Sequence, residues 1–155
     1  MSKTKTIDDN NRNVQSTKEL LSDLYKNVTM AKGTIETLVN YVKQTDVTKR
    51  LRKQIEQYDV YVEQIDDLAE KLGFDPTSAP KFAISMANVG IKAKMLADNR
   101  QTHVAKIMMQ GTLNGIIDLY RLTKKFEDVH PQSAVLLKEM LHYEESCLES
   151  CKKML

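Results

Sequence analysis

Two carboxylates lie on otherwise apolar lines of predicted helices, where charged groups are rare. Asp118 falls on the line formed by positions 111, 115, 118 and 122, and Glu144 falls on the line formed by 137, 141, 144 and 148. A buried carboxylate without a partner is strongly disfavoured. Three explanations therefore stand: the two groups bind a metal ion, they pair with a Lys, Arg, Tyr or backbone donor, or they lie at the solvent-exposed margin of the apolar stripe.

The other reactive side chains do not form a recognisable catalytic set. The three histidines, at positions 103, 130 and 142, share no spacing that would gather them, so no zinc site is predicted. Cys147 and Cys151 share a helical face with Glu144, but the sequence has no second cysteine pair, and we interpret both as buried, reduced thiols. Phosphate-binding loops, dinucleotide-binding glycine motifs and nucleophile elbows are absent from the sequence. This pattern favours a protein without enzymatic activity.

The composition is typical of a single helical domain. The chain has 155 residues, enough for one core, and 41% of them are hydrophobic and 28% charged. Five glycines and three prolines are few for this length. Because β-rich and loop-rich folds need more turn residues, the sequence predicts an all-α fold class.

Charge and hydropathy argue against nucleic acid and membranes as partners. The formal net charge is only +2, and the densest basic cluster, at 49–53, is followed by acidic residues and lacks interleaved aromatic residues. No apolar run approaches the ~20 residues that span a bilayer, and the first residues lack the apolar segment of a signal peptide. We therefore expect a cytoplasmic protein with no nucleic-acid or membrane partner.

Apolar residues repeat every three or four positions along four long segments, as in amphipathic helices. A capping-box signal predicts that helix one starts at Ser16. Helix two is predicted to start at Asp46 and to end at Gly73, and the short connection between the two helices predicts an antiparallel hairpin. Residues 1–15 are polar and aperiodic, so we predict a flexible N-terminal arm followed by a single helical-bundle domain over residues 16–155.

A shorter amphipathic segment over 81–98 lies between helices two and three. As a helix it spans roughly 27 Å at 1.5 Å per residue, which would carry the chain back along the bundle and make helix three parallel to helix two. The alternative is five helices packed without such a crossover. Helix three is predicted from Asp98 or Thr102 to about Phe126, and the last helix from Pro131.

Glycines inside predicted helical segments need an explanation, because glycine is a poor helix former. Gly111 and Gly115 lie four positions apart inside the third predicted helix, and Gly90 lies in the shorter segment. Each costs about 1 kcal/mol of helix propensity relative to Ala. Close packing must offset this cost, so we predict a flat groove into which the crossover segment or a second copy of the chain presses. A homodimer, or association with another protein, is therefore expected.

The stretches MMQGTLNGI and VGIKAKM carry a resemblance to a known group of proteins. Over about residues 20–155 the chain resembles uncharacterised small bacterial proteins, mainly of Firmicutes, with a ferritin-like helical look. The resemblance implies a ferritin-like four-helix bundle with an additional shorter helix between helices two and three. It implies no activity, because the group has no chemistry to carry over.

Ferritin-like di-iron proteins provide a test of the metal explanation. Their site takes a Glu from each of two helices and a Glu-x-x-His motif from each of the other two. In this sequence only the last helix has that spacing, at Glu139 and His142. On the other predicted helices, the candidate carboxylate ligands for such a di-metal site are Glu36, Glu56, Asp59 and Asp118.

Two functional hypotheses follow. The preferred one is a non-enzymatic helical bundle without a cofactor, which acts through self-association or by binding another protein. The alternative is a ferritin-like metal-binding or redox protein with an incomplete site for iron or manganese. Its predicted metal ligands are Glu139, His142, Glu144 and Asp118.

Overall fold

Four long α-helices make up the described part of the chain, in a computed structural model that covers residues 2–77, 90, 94, 98 and 100–155. The helices are α1 (Ser2–Val39), α2 (Thr45–Lys71), α3 (Gln101–Lys125) and α4 (Pro131–Lys152). These residues contain no strand, so the predicted all-α class is confirmed. None of the four helices is both long and apolar enough to span a bilayer.

One apolar core lies between the four helices. The apolar residues that repeat along the first two predicted helices face the core, where Leu20, Leu24 and Leu38 on α1 and Leu51 and Ile65 on α2 are buried. The other two helices complete the core with buried aliphatic side chains. These include Val104, Leu119, Leu136, Leu137 and Met140.

The start of α1 differs from the prediction. The helix is continuous from Ser2, so Ser16 lies inside it and does not cap it. Residues 1–15 contain no Gly or Pro that would break a helix, and a capping signal marks a place where a helix can begin rather than one where it must. The boundary predicted at Ser16, between an irregular arm and the bundle, is therefore corrected to a helix that begins at Ser2.

The remaining helix ends lie close to their predicted positions. Asp46 lies in the first turn of α2 and does not cap it, whereas Gly73 has the positive φ of 68° predicted for the end of that helix. Asp98 accepts a hydrogen bond from the backbone N–H of Arg100 at 3.0 Å, just before α3. Pro131 begins α4, as predicted.

Contacts between helices establish their directions. α1 and α2 are joined by the short segment 40–44 and pack as an antiparallel pair. Asn27 on α1 contacts the carbonyl of Gly115 at 3.4 Å, and Asp23 contacts Lys125 at 3.5 Å. Later residues of α3 thus lie against earlier residues of α1, so α3 is antiparallel to α1. It follows that α3 runs parallel to α2, the direction that a crossover connection requires.

The shorter helix predicted over 81–98 lies outside the described residues, apart from Gly90, Lys94 and Asp98. Gly90 is exposed, and nothing in the described chain lies within 4 Å of where its Cβ would stand. The close packing predicted for Gly90 is therefore not found in that part of the chain.

Thr17 ties the turn before α4 to α1. Its buried hydroxyl donates to the carbonyl of Asn13 at 2.7 Å and accepts from the backbone N–H of His130 at 2.9 Å. Asn13 adds a second link, because its side-chain amide donates to Asp128 Oδ1 at 3.0 Å. One hydroxyl group thus connects two segments that are far apart in the sequence.

Replacing Thr17 by Val keeps the shape of the side chain and removes the hydroxyl. Because the partly buried N–H of His130 then loses its acceptor, we expect Thr17→Val to lower the free energy of unfolding by about 1–2 kcal/mol, measured by urea denaturation. Thr29→Val is the matched control, since the Thr29 hydroxyl donates only to carbonyls of α1 itself. Equal losses in the two variants would contradict the role assigned to Thr17.

Candidate functional site

A cleft of about 210 Å³ opens between α1 and α3, and its floor is formed by α2 and α4. Its walls include three small residues, Ala31, Gly111 and Gly115, which leave space between the two helices. The walls also carry apolar side chains, among them Met30 and Met108. The floor is polar and consists of Gln54, Tyr58 and Glu144.

Gly111 and Gly115 line this cleft, and Asn27 of α1 contacts the carbonyl of Gly115 at 3.4 Å. In the described chain nothing lies within 4 Å of a Cβ built on Gly111. A Cβ on Gly115 would meet Asn27 Nδ2 and Glu144 Oε2, each at the ordinary contact distance of 4.0 Å. The close intramolecular packing predicted for this pair is therefore not found there, because the facing residues stop short of the glycines. Contact of these glycines with a second copy stays a prediction.

Glu144 is a buried carboxylate on the floor of the cleft, with only 4% of its surface exposed. Tyr58 donates its hydroxyl to Glu144 Oε1 at 2.7 Å, and Gln54 Nε2 donates to the same tyrosine oxygen at 2.7 Å. Pairing with a tyrosine is one of the alternatives that the sequence left open. Oε2, the oxygen on the Gly115 side, has no hydrogen-bond donor among the described residues.

Burial controls the electrostatics of this floor. It raises the pKa of Glu144 to about 7, and the hydrogen bond from Tyr58 opposes that rise. Burial and the charge of Glu144 also raise the pKa of Tyr58 well above its ordinary value. Tyr58 therefore stays a hydrogen-bond donor at neutral pH, whereas the Glu144 carboxyl gains or loses its proton there.

Two thiols lie on the same helix as Glu144. Cys147 is half-buried, Cys151 is buried, and both are free. Burial raises the pKa of Cys147 to about 12 and that of Cys151 to about 11. Because the thiolate is the reactive form and the metal ligand, these protonated thiols are poor candidates for nucleophilic or metal chemistry.

The four predicted metal ligands do not converge. Glu139 and His142 are exposed on α4, whereas Glu144 points into the core. Two positions along a helix correspond to a rotation of roughly 200°, so His142 and Glu144 face opposite sides of α4. Asp118 reaches the rim of the cleft, but it is exposed and paired with Arg121 at 3.3 Å. Within the described ranges, no three potential ligands lie close enough together to hold an ion.

The other carboxylates considered for a di-metal site also lie outside the cleft. Glu36 and Asp59 both pair with Lys32, between α1 and α2. The hydrogen bond from Lys32 to Asp59 and the charge of Glu36 raise the pKa of the Lys32 ammonium against the opposing effect of burial. Glu56 does not line the cleft.

The side of α3 that faces away from the core is apolar over part of its length. Leu113, Ile117 and Tyr120 are 42%, 48% and 49% exposed, and with Met109 they form a line at helical spacing, which we name the α3 outer stripe. A shallow groove along this side also includes the exposed Leu155. Single exposed apolar residues are ordinary on protein surfaces, but a contiguous row is typical of protein–protein contacts.

No family model, curated protein or solved structure matches the chain. Sequence reasoning identified Glu144 and allowed a tyrosine partner, but it missed Gln54 and the α3 outer stripe. The signal for Gln54 was its position three residues after Leu51 and four before Tyr58, which puts it on the buried side of α2.

The raised pKa of Glu144 predicts a pH-dependent stability. Between pH 4.5 and about 7 the folded protein keeps a proton on Glu144 that the unfolded chain releases. The free energy of unfolding therefore falls, through this group, as the pH rises across that window, and the effect is complete above it. Glu144→Gln stays neutral and still offers Tyr58 an acceptor, so the variant should not show this fall.

Urea denaturation at several pH values measures the effect. The free energy of unfolding of Glu144→Gln minus that of the wild type should grow by about 3 kcal/mol from pH 4.5 to pH 7, since a tenfold change in proton affinity corresponds to about 1.4 kcal/mol. Glu149→Gln, which removes an exposed carboxylate from the same helix, should show no comparable trend. A difference between Glu144→Gln and the wild type that stays constant over this range would refute the buried-carboxyl assignment.

Proposed function

We propose that the protein is a non-enzymatic helical bundle, ferritin-like in arrangement, that acts by associating with a second copy of itself through the α3 outer stripe. The observation that carries this proposal is the exposed row of Leu113, Ile117 and Tyr120. Removing contiguous apolar surface from water is favourable, so this row provides a driving force for association.

The course of the helices supports the ferritin-like part of the proposal. Tyr120 contacts Glu145 at 3.1 Å and Gln101 contacts the carbonyl of Met154 at 3.3 Å, so α3 and α4 are antiparallel. The bundle thus consists of two antiparallel helix pairs, and α2 runs parallel to α3. One long crossover between the second and third helices produces this arrangement. Kinship with small bacterial bundle proteins and a cytoplasmic location belong to the same proposal.

The α3 outer stripe suits a twofold interface. In a symmetric dimer each copy uses the same patch. If two α3 helices cross antiparallel near Ile117, Leu113 of each copy lies beside Tyr120 of the other. The Tyr120 hydroxyl donates to Glu145 on its own chain, which restrains the ring. One helix pair buries less than the roughly 800 Å² per partner of a standard interface, so we expect dissociation at about micromolar concentration.

Sedimentation velocity from about 1 to 100 µM tests the association. The wild type should shift from monomer to dimer with concentration, and the double variant Leu113→Glu, Ile117→Glu should stay monomeric, because four buried carboxylates in the interface would lack partners.

Val60→Glu is the matched control, because Val60 is 44% exposed on α2 and does not belong to the stripe. It should dimerise like the wild type, and circular dichroism should show that all three proteins are equally helical. A wild type that is monomeric at every concentration, or a double variant that dimerises as strongly as the wild type, would refute the proposal.

A further inference from the structure

We propose that the cleft between α1 and α3 is a binding site for a small organic ammonium ion, with Glu144 Oε2 as its counter-ion. This goes beyond self-association. The cleft is lined by Gly111 and Gly115, whereas the outer stripe contains Leu113 and Ile117, and a shift of two positions turns a helical side chain by roughly 200°. The two surfaces therefore lie on different sides of α3.

One of the two carboxylate oxygens of Glu144 lacks a hydrogen-bond donor among the described residues. Its side chain is almost fully buried, and Oε1 is engaged by Tyr58 at 2.7 Å, while Oε2 has no donor among the described residues. Nor does any lysine or arginine of the described chain line the cleft. Buried carboxylates are normally paired with a cation or fully hydrogen-bonded. A ligand ammonium group would supply the positive charge and the hydrogen bonds that Oε2 lacks.

Several polar side chains that line the cleft already form hydrogen bonds within the protein. The side-chain amide of Asn27 already donates to the carbonyl of Gly115 at 3.4 Å, and the hydroxyl of Thr34 donates to the carbonyl of Met30 at 3.0 Å. The amide and the hydroxyl on the floor are likewise engaged within the protein. These four side chains already have acceptors, whereas Glu144 Oε2 is an acceptor without a donor among the described residues, so the floor of the cleft suits a ligand group that donates hydrogen bonds.

The size and lining of the cleft define the rest of the ligand. Met30, Ile35 and Met108 give the walls an apolar surface, and the volume is about 210 Å³. A cavity of about 150 Å³ is enough for a benzene ring, so the cleft has room for a ring that carries an aminomethyl group. Methionine thioethers also pack well against aromatic rings. A primary amine with an apolar body of about seven carbon atoms therefore fits both parts of the cleft.

Gly115 keeps the approach to the carboxylate open. A Cβ at this position would stand 4.0 Å from Glu144 Oε2 and 4.0 Å from Asn27 Nδ2. These are ordinary contact distances, so Gly115→Ala disturbs neither neighbour. The added methyl group would nevertheless occupy space beside Oε2. Because alanine favours a helix more than glycine does, the variant should fold at least as well as the wild type.

Three probes of similar size and different charge test the site: benzylammonium, neutral benzyl alcohol and anionic benzoate. Titration calorimetry at about pH 8, above the Glu144 pKa of about 7, measures their affinities. We expect benzylammonium to bind the wild type at least about tenfold more tightly than benzyl alcohol, and benzoate more weakly than both. Glu144→Gln should abolish the preference for the amine and leave the affinity for the alcohol nearly unchanged. Gly115→Ala should weaken binding of both.

Glu149→Gln is the matched control, because it removes the same charge from an exposed position of α4. It should keep the preference for benzylammonium, since solvent screens exposed charges. The monomeric double variant Leu113→Glu, Ile117→Glu should also bind benzylammonium, which separates this site from the dimer interface. Equal affinities of the wild type for the amine and the alcohol, absence of benzylammonium binding at about 10 mM, or a preference that survives Glu144→Gln would each overturn the proposal.

Discussion

A carboxylate inside a helical core has to be given partners by other helices, and this constraint organises the bundle around Glu144. Its Oε1 accepts a hydrogen bond from the Tyr58 hydroxyl at 2.7 Å, and the side-chain amide of Gln54 donates to the same hydroxyl and restrains it. Removing one partner of a buried polar pair costs more than the pair contributes, because the remaining group stays desolvated and unpaired. The contact therefore fixes the register of α2 against α4 more sharply than aliphatic packing alone would.

The same constraint divides the interior into a closed side and an open side. Between α2 and α4 the aromatic rings of Tyr58 and Tyr61 meet Tyr143 edge to face, with centroids 6.0 and 5.7 Å apart. Such pairs fill space and restrain the rings. Between α1 and α3 a cleft remains, because Gly111 and Gly115 have no side chains to fill the space in front of α1. Glu144 lies where the two sides meet, with one oxygen turned to each.

Helical periodicity predicted much of the fold, because burial of one face imposes the 3.6-residue repeat on the sequence itself. The core stripes of α1 and α2 and the stop at Gly73 followed from it. The start of α1 did not follow from periodicity, because the capping signal at Ser16 lies inside a helix that already begins at Ser2. The site was less predictable, because Tyr58 and Glu144 are 86 positions apart. Helical spacing predicted that Gly115 lies on the inward side of its helix. Whether the space beside this glycine is filled depends on side chains of the other helices, which the spacing does not specify.

The stretch from Met108 to Leu119 shows why one sequence signal can support two different interpretations. It contains two apolar lines, one through Met108 and Leu119 toward the core and one through Leu113 and Ile117 toward the solvent. Hydropathy alone cannot rank them, because either line would satisfy a helix that buries one face. The ranking comes from the other helices, which cover the first line and leave the second. Gly111 and Gly115 lie beside the first line and border the cleft, whereas Leu113 and Ile117 form an apolar surface on the opposite side of the same helix.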